Sequence, residues 1–277
     1  GLSSVDDVTL RQYYEDALRR YLSLHPVRIE SLSVLNSNPD KETWLSEDRQ
    51  AQINWAYFER YIKHLRRSGR SKTVLDEITN STQVILGKLG DPKISDTFFV
   101  KGLVVGEVQS GKTGNFNGVI NRSIDAEYDV VIVLSGIMED LREQTQDRVE
   151  KDVIGEGTLD DAEGNARGPK GVGLVERFGR NRRDDIVQIT SITSRDSDFK
   201  RARTDFDSNL NQSLILVCKK NVNILANLVL WLYDHLEGQP QHNLSLLVLD
   251  DEADNASLNN EGAKGRAYAS KVNGHIR

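Results

Sequence analysis

A glycine-rich stretch in the middle of the chain, Gly106-Glu-Val-Gln-Ser-Gly-Lys-Thr-Gly114, carries residue types that bind phosphate. Its spacing, a glycine followed after four residues by Gly-Lys-Thr, is that of a phosphate-binding loop. The glycines let the backbone curl so that its N–H groups point inward, and the following helix adds its positive N-terminal end. We therefore expect a nucleotide to bind through Gly106, Gln109, Ser110, Gly111, Lys112, Thr113 and Gly114.

Two side chains of this stretch have particular roles in the prediction. Lys112 is expected to reach the β- and γ-phosphates, where its charge assists transfer of the γ-phosphoryl group. The hydroxyl of Thr113 is expected to ligate Mg²⁺, which prefers oxygen ligands and binds together with substrate phosphates. The predicted cofactors are therefore ATP and Mg²⁺.

A run of carboxylates near the end of the chain supplies a second half of such a site. The apolar stretch Leu244–Leu249 is followed by Asp250-Asp-Glu-Ala-Asp254. An apolar strand that ends in carboxylates places them at the carboxyl edge of a parallel sheet, where a phosphate loop also lies. Asp251 is predicted to hold Mg²⁺, and Glu252 to activate the attacking water. The alternative is an acidic helix start, because carboxylates favour the N-terminal end of a helix.

The elements that must position these residues follow an alternating pattern from Phe98 onward. Short apolar runs predict strands at Phe98–Val105, Val130–Leu134, Ile186–Ile189, Leu214–Cys218 and Leu244–Leu249. Nearly continuous apolar strands separated by helices predict a parallel sheet that is covered on both faces. The first strand would lead into the phosphate loop, and a helix over Lys112–Ile124 would follow it. The glycine-rich segment Gly155–Gly179 is predicted to be a surface loop.

Before this region the pattern is helical. Apolar residues at helical spacing predict helices at Asp6–Leu24, Asp48–Arg67 and Lys72–Leu89. The predicted fold class is therefore α/β, with a central, mainly parallel sheet that is preceded by an N-terminal helical module. We expect the helical module to span 1–95 and the α/β domain to span 96–277.

Composition excludes several classes of protein. The formal charge of −6 over 277 residues argues against a protein that coats DNA with its whole surface, but not against a local basic groove. Cys218 is the only cysteine, so neither an internal disulfide nor a cysteine zinc cluster is expected. No apolar run reaches the roughly 18 residues of a membrane span. We therefore expect a cytoplasmic protein with no membrane partner.

Three motifs in order resemble a known family. They are Gly102–Thr113, Val131–Ile137 together with Leu141–Gln146, and Asp250–Ser257. Together they are similar to the bacterial Z-one domain family, which is labelled as endonucleases and resembles superfamily II helicases and translocases of phage-defence systems. The resemblance spans about Trp55 to Arg277. It implies a RecA-like phosphate-loop core that couples ATP hydrolysis to movement on DNA.

The resemblance also implies contacts with DNA. Such helicases place a backbone-contacting segment after the second strand, where this chain has Arg142, Gln144, Thr145 and Arg148. Lys219 and Lys220 follow a later strand and are further candidates. The alternative in both places is a solvated surface that binds nothing, because these side chains are also common on exposed helix faces and strand ends.

The family pattern is incomplete here, which limits the expected activity. Superfamily II enzymes bind ATP between two RecA-like domains, and the second domain supplies an arginine finger. This chain stops at Arg277, before such a domain, and its only methionine is Met138, so we expect a fragment. An arginine finger contributes about 10³–10⁵ in rate, so the fragment should bind nucleotide better than it hydrolyses it.

Two alternative functions stay open. One is a nucleotide-gated switch or scaffold in a defence complex, which would bind a protein partner through the N-terminal helices. The other is an ATP-dependent endonuclease whose cutting site lies outside this chain. Adenine contacts are a further open point, for which Gln83 with Trp55 or Tyr61 is one possibility and a role in the helix core is the alternative.

Overall fold

A computed structural model describes residues 43–105, 112–157, 168–176, 186–201, 212–237 and 244–253. All of these residues belong to one compact unit, Asn38–Arg277. The predicted helix Asp6–Leu24 lies outside the described residues. The predicted boundary near residue 95 falls inside this unit.

Six helices and four strands make up the described part of the chain. The helices are α1 (Glu47–Gln52), α2 (Ala56–Arg67), α3 (Lys72–Lys88), α4 (Lys112–Asp125), α5 (Glu139–Val149) and α6 (Val222–Glu237). The strands are β1 (Val130–Ser135), β2 (Gln188–Ser191), β3 (Gln212–Lys219) and β4 (Leu246–Asp250). A π-helical turn, Glu150–Ile154, continues α5, and Gly171–Leu174 forms a 3₁₀ turn.

The four strands form one parallel sheet in the order β2-β3-β1-β4. Val130 of β1 pairs with Leu214 of β3 on one side and with Leu246 of β4 on the other. Each strand lies within two residues of a predicted apolar run. The α/β class with a parallel sheet is therefore confirmed.

Alternate residues of β1 face two different layers. Val131 and Val133 share a buried cluster with Val119, Ile120 and Ile124 of α4. On the opposite face, apolar side chains of β1 and β3 pack against Leu225, Leu228 and Trp231 of α6. Because both faces of β1 are covered, this strand is apolar from Val130 to Leu134 rather than alternating.

Helices α1 to α3 extend the layer that α4 begins. Tyr57 and Leu86 are buried in the same cluster as α4 and the sheet. At Gly118 the helices α3 and α4 approach so closely that an added Cβ would lie 2.7 Å from Thr82 Cγ2. The absence of a side chain at Gly118 therefore allows this close approach of the two helices. The sequence around Gly118 does not indicate this role.

The predicted helix Asp48–Arg67 is broken, because α1 ends before Ile53 and α2 begins after Trp55. Ile53 is extended, with φ −80° and ψ 131°, and Trp55 offers no side-chain cap. Instead, the two carboxylate oxygens of Asp125 accept the N–H groups of Tyr57 and Phe58, each at 2.9 Å. The first N–H groups of a helix need such acceptors. The acceptor for α2 comes from another helix, so no local sequence pattern indicates the break.

The predicted strand Phe98–Val105 is absent. Residues 98–105 form no strand, and their apolar side chains are largely exposed, with Leu103 at 80% and Val105 at 81%. β-Prone composition favours a strand only where a neighbouring strand pairs with it, since backbone N–H and C=O groups need partners. Among the described strands β4 is at the edge of the sheet, and 98–105 does not pair with it.

Part of the predicted surface loop Gly155–Gly179 is buried. Val172 has no exposed surface and packs against Phe58 and Tyr61 of α2. Gly155 has φ +89°, and its carbonyl oxygen accepts the N–H of Lys170 at 2.8 Å. The glycines here allow close packing of backbone segments, so their presence does not indicate a solvated loop.

No helix in the described ranges has both the length and the apolar character needed to cross a membrane.

Candidate functional site

The phosphate loop itself cannot be placed from the structure, because residues 106–111 lie outside the described ranges. The roles of Gly106, Gln109, Ser110 and Gly111 therefore stay predictions. Lys112 begins α4, as the loop pattern requires, although nothing is described of the Lys112 and Thr113 side chains.

The first turn of α4 is packed against α2 and α3. The hydroxyl of Tyr61 donates a hydrogen bond to the carbonyl oxygen of Gly114 at 3.0 Å. A Cβ added at Gly114 would lie 3.0 Å from Ile78 Cδ1. The start of the helix is therefore held by two neighbouring helices.

The direction of α4 brings its N-terminus to the carboxyl edge of the sheet. Four residues, 126–129, connect α4 to β1, and both elements share the cluster described above, so the helix runs antiparallel to the strand. The 14 residues of α4 span about 21 Å. The six residues of β1 span about 20 Å. Lys112 therefore lies near the level at which β1 ends.

The acidic residues also lie at this edge. β4 ends at Asp250, and residues 251–253 form a turn. The N–H of Asp251 donates to the carbonyl oxygen of Leu134 at 2.9 Å, which extends the pairing of β1 and β4. Oδ1 of Asp251 accepts the N–H of Glu252 at 3.1 Å.

Glu252 has a left-handed backbone, with φ +53°, and its side chain is exposed. This conformation costs a non-glycine residue roughly 1–2 kcal/mol. A Cβ added at Gly136, the residue after β1, would lie 3.2 Å from Oε2 of Glu252. The carboxylate therefore lies beside the end of β1, and Gly136 leaves room for it.

Lys220 is not available for DNA, which corrects the prediction for this residue. It is 1% exposed, and its Nζ lies 2.7 Å from Oδ1 of Asp250. Nζ also donates to the carbonyl oxygens of Asp251 at 2.6 Å and Glu252 at 2.8 Å. Sequence reasoning missed this role because a lysine that follows a strand is usually exposed.

Arg142 is likewise buried, and the predicted DNA contact is wrong for this side chain. Its guanidinium donates to the carbonyl oxygens of Ser194, at 2.8 Å, and Arg195, and it pairs with Glu139. It has no exposed surface. A buried guanidinium with these partners links α5 to the segment after β2 instead of facing solvent.

Thr145 is the third of these candidates that the structure removes from the surface. It is 6% exposed, and its hydroxyl donates to the carbonyl oxygen of Leu141 at 2.9 Å. Gln144 and Arg148 are exposed on α5, and Lys219 is partly exposed. These three stay predictions for contact with nucleic acid.

Lys219 is also part of an ion-pair network. Its Nζ lies 2.6 Å from Oε2 of Glu139, which also pairs with Arg142. Burial acts to raise the pKa of Glu139, but hydrogen bonds from Lys219 and Arg142 outweigh it and leave that pKa below its ordinary value. Glu139 is therefore a carboxylate that holds two cations next to the sheet edge.

The candidates for adenine contact occupy the helix core, as their alternative role predicts. Gln83 donates to Oε1 of Gln50 at 2.8 Å, and the indole N–H of Trp55 donates to the carbonyl oxygen of Gln50 at 2.9 Å. Tyr61 has no exposed surface. In this arrangement all three side chains serve packing between helices.

The carboxylates at the edge fit the way in which proteins bind Mg²⁺ with nucleotides. Within the described ranges there is no group of three or more His, Cys, Asp or Glu residues that could hold a metal ion alone. Mg²⁺ at phosphate-transfer sites is usually held by one or two carboxylates, substrate phosphates and water. Asp251, partly exposed on the turn, suits that mode of binding.

Comparisons of the chain with protein-family models, with curated proteins and with solved structures found no match. The function has to be argued from the residues of the site and from the sequence motifs.

Proposed function

We propose that this chain binds ATP with Mg²⁺ as the first RecA-like domain of an ATP-driven motor that acts on DNA. The observation that carries the proposal is the convergence at one sheet edge. Asp251 and Glu252 follow a parallel strand at its carboxyl end, beside Gly136. Helix α4, which begins at Lys112, directs its N-terminus toward the same edge.

Each residue has a role that follows from its chemistry. The loop N–H groups and Lys112 bind the phosphates. Thr113 and Asp251 hold Mg²⁺, which when bound offsets the charge on the β- and γ-phosphate oxygens. Glu252 accepts the proton that the attacking water loses as its oxygen bonds to the γ-phosphorus. The products are ADP and phosphate.

DNA is proposed as the track because of the helicase-like order of the three motifs. The exposed candidates for phosphate contact are Gln144 and Arg148 on α5, together with Lys219. Phosphate contacts of this kind orient a protein on DNA without reading its sequence. In restriction-like phage defence, such a motor would move along DNA in the cytoplasm.

A second candidate function is a nucleotide-gated switch. The contacts of Tyr61 and Ile78 with the first turn of α4 favour it, because they connect the nucleotide site to α2 and α3. A change at the phosphates would then reach a surface that can bind a protein partner.

Phosphate release by the protein, with and without duplex DNA, separates these functions. A motor hydrolyses ATP faster when DNA is present. A rate of hydrolysis that is the same with and without DNA would rule the motor out. Slow hydrolysis with tight ATP binding and no effect of DNA would support the switch.

The variant Glu252→Gln tests the proposed base in the same assay. It should keep ATP binding and lose about 10²–10⁴-fold in turnover, because general base catalysis contributes that much. Glu127→Gln is a matched control, since Glu127 is an exposed glutamate that also has positive φ, at 67°. Equal rates for both variants would remove Glu252 from the mechanism.

A further inference from the structure

We propose that Lys220 is a positioning residue for the ATP–Mg²⁺ site, which it serves by holding the turn that carries Asp251 and Glu252. The inference rests on the proposed function and names a residue that acts on that site through its neighbours. Lys220 lies at the end of β3, two strands away from the turn in the order of the sheet.

The side chain of Lys220 contacts three consecutive residues. Its Nζ lies 2.7 Å from Oδ1 of Asp250 and donates to the carbonyl oxygens of Asp251 and Glu252 at 2.6 and 2.8 Å. The Lys220 side chain has no exposed surface, so these contacts are shielded from water.

These contacts fix the backbone of the turn. Two successive carbonyl groups bind one ammonium, which orients the peptide planes that follow Asp251 and Glu252. Charge-assisted hydrogen bonds of this kind are about twice as strong as neutral ones. They offset the unfavourable left-handed conformation of Glu252, whose φ is +53°. Without these hydrogen bonds, the left-handed conformation of Glu252 would be less stable.

Lys220 also fixes the strand beside which the Glu252 carboxylate lies. The backbone N–H of Lys220 donates to the carbonyl oxygen of Gly136 at 3.3 Å. Gly136 is the residue that leaves room for Oε2 of Glu252. One residue therefore contacts both sides of the site, through its backbone at the end of β1 and through its side chain at the end of β4.

The distribution of charge supports a role in holding a cation site. The Lys220 ammonium pairs with Asp250, and no ion pair joins Asp251 or Glu252 to any of the described residues. The ammonium therefore holds the turn through Asp250 and the backbone, and it does not pair with the two carboxylates predicted to face Mg²⁺ and water. A lysine that neutralised them directly would compete with the metal ion.

The test is the gain in ATP affinity that Mg²⁺ provides, measured on the 277-residue chain with a fluorescent ATP analogue in MgCl₂ and in EDTA. Lys220→Met should reduce this gain by about 10- to 100-fold, as loss of an outer-shell partner does. Its affinity in EDTA should stay unchanged, because the phosphate loop does not use Lys220. Lys170→Met is the control, since Lys170 is likewise a lysine held by an ion pair, with Asp147 and Glu150 as its partners.

The double variant Lys220→Met/Asp250→Asn covers the case in which the single variant does not fold. It removes both charges and leaves no unpaired charge buried. A folded variant of either kind that keeps the full Mg²⁺ gain would overturn the role of Lys220. Wild-type chain that binds no ATP would instead overturn the proposed function.

A measurement on the wild-type chain needs no variant. The Lys220 Nζ resonance, observed in chain labelled with ¹⁵N-lysine, should move when MgATP is added and stay in place when ATP is added with EDTA. A resonance that is unaffected by MgATP, in chain that binds it, would contradict the proposal.

Discussion

Asp125 is expected to stabilise the fold by capping α2 from α4. It is 7% exposed, and its carboxylate accepts the N–H groups of Tyr57 and Phe58. The positive charges of Arg122 and Arg60 also act on it. Replacing Asp125 therefore removes the acceptor that caps α2.

The expected magnitudes follow from these contacts. Asp125→Ala leaves two N–H groups without their acceptor, at about 1–3 kcal/mol for each, so we expect a loss of about 2–6 kcal/mol. Asp125→Asn keeps one acceptor oxygen and should lose about 1–3 kcal/mol.

The pH dependence gives a sharper test. Burial raises the pKa of Asp125 from 3.8 to about 8, against the hydrogen bonds from Phe58 and Tyr57. Between these values the folded chain holds a proton that the unfolded chain has lost. The free energy of unfolding should therefore fall as pH rises from about 5 to 8, by at most about 1.4 kcal/mol per pH unit for one proton.

Urea unfolding followed by tryptophan fluorescence, at several pH values between 5 and 8, measures this effect. The stability of wild type relative to Asp125→Asn is the quantity to compare, because contributions from other groups cancel. His64 is one of these, since burial lowers its pKa and gives a slope of opposite sign. Asp234→Asn, in an exposed ion pair with Arg201, is the control and should change stability by less than about 1 kcal/mol.

The reasoning fails if the difference between wild type and Asp125→Asn is constant, or grows, from pH 5 to pH 8. Asp125 would then be ionised throughout, with the two N–H donors and the arginines outweighing burial.

Two further predictions concern packing and are checked by the same unfolding experiment. Gly173→Ala should destabilise the fold by more than about 1 kcal/mol, because an added Cβ would overlap the Gly155 carbonyl oxygen, whereas Gly102→Ala, with no atom within 4 Å of its Cβ, should be nearly neutral. Equal stabilities of these two variants would contradict the close approach. Arg142→Met should lose more than about 1 kcal/mol, because it leaves the carbonyl oxygens of Ser194 and Arg195 without their donor. Arg148→Met, exposed on the same helix, should stay within about 0.5 kcal/mol; a larger loss for Arg148→Met than for Arg142→Met would contradict their placement.

The described strands were predictable largely from local pattern. β1, β3 and β4 contain short apolar runs, as in Val130–Ser135. β2, Gln188–Ser191, is mostly polar and overlaps the predicted run only at its first two residues. The run Phe98–Val105 has the same composition, yet it forms no strand, because strand formation also depends on a pairing partner. The break before α2 was not predictable, since the cap comes from Asp125, 68 residues after Tyr57.

The candidate site was also predictable only in part. The place of Asp251 and Glu252 at the carboxyl edge was predictable from an apolar strand that ends in acids. The burial of Lys220 and Arg142 was not, because it depends on carbonyl groups from other parts of the chain, such as those of Glu252 and Ser194. A lysine or arginine in a sequence does not reveal whether carbonyl oxygens will surround it.

The central claim is that the chain binds ATP with Mg²⁺, and isothermal titration of the chain with MgATP tests it most directly. Wild type should bind at one saturable site, and Lys72→Ala, an exposed lysine on α3, should bind equally well. Lys112→Ala should weaken binding by at least roughly 30-fold, since losing one partner of a charge pair costs at least about 2 kcal/mol. Binding by Lys112→Ala that equals wild type, or no wild-type binding at about 1 mM MgATP, would contradict the claim.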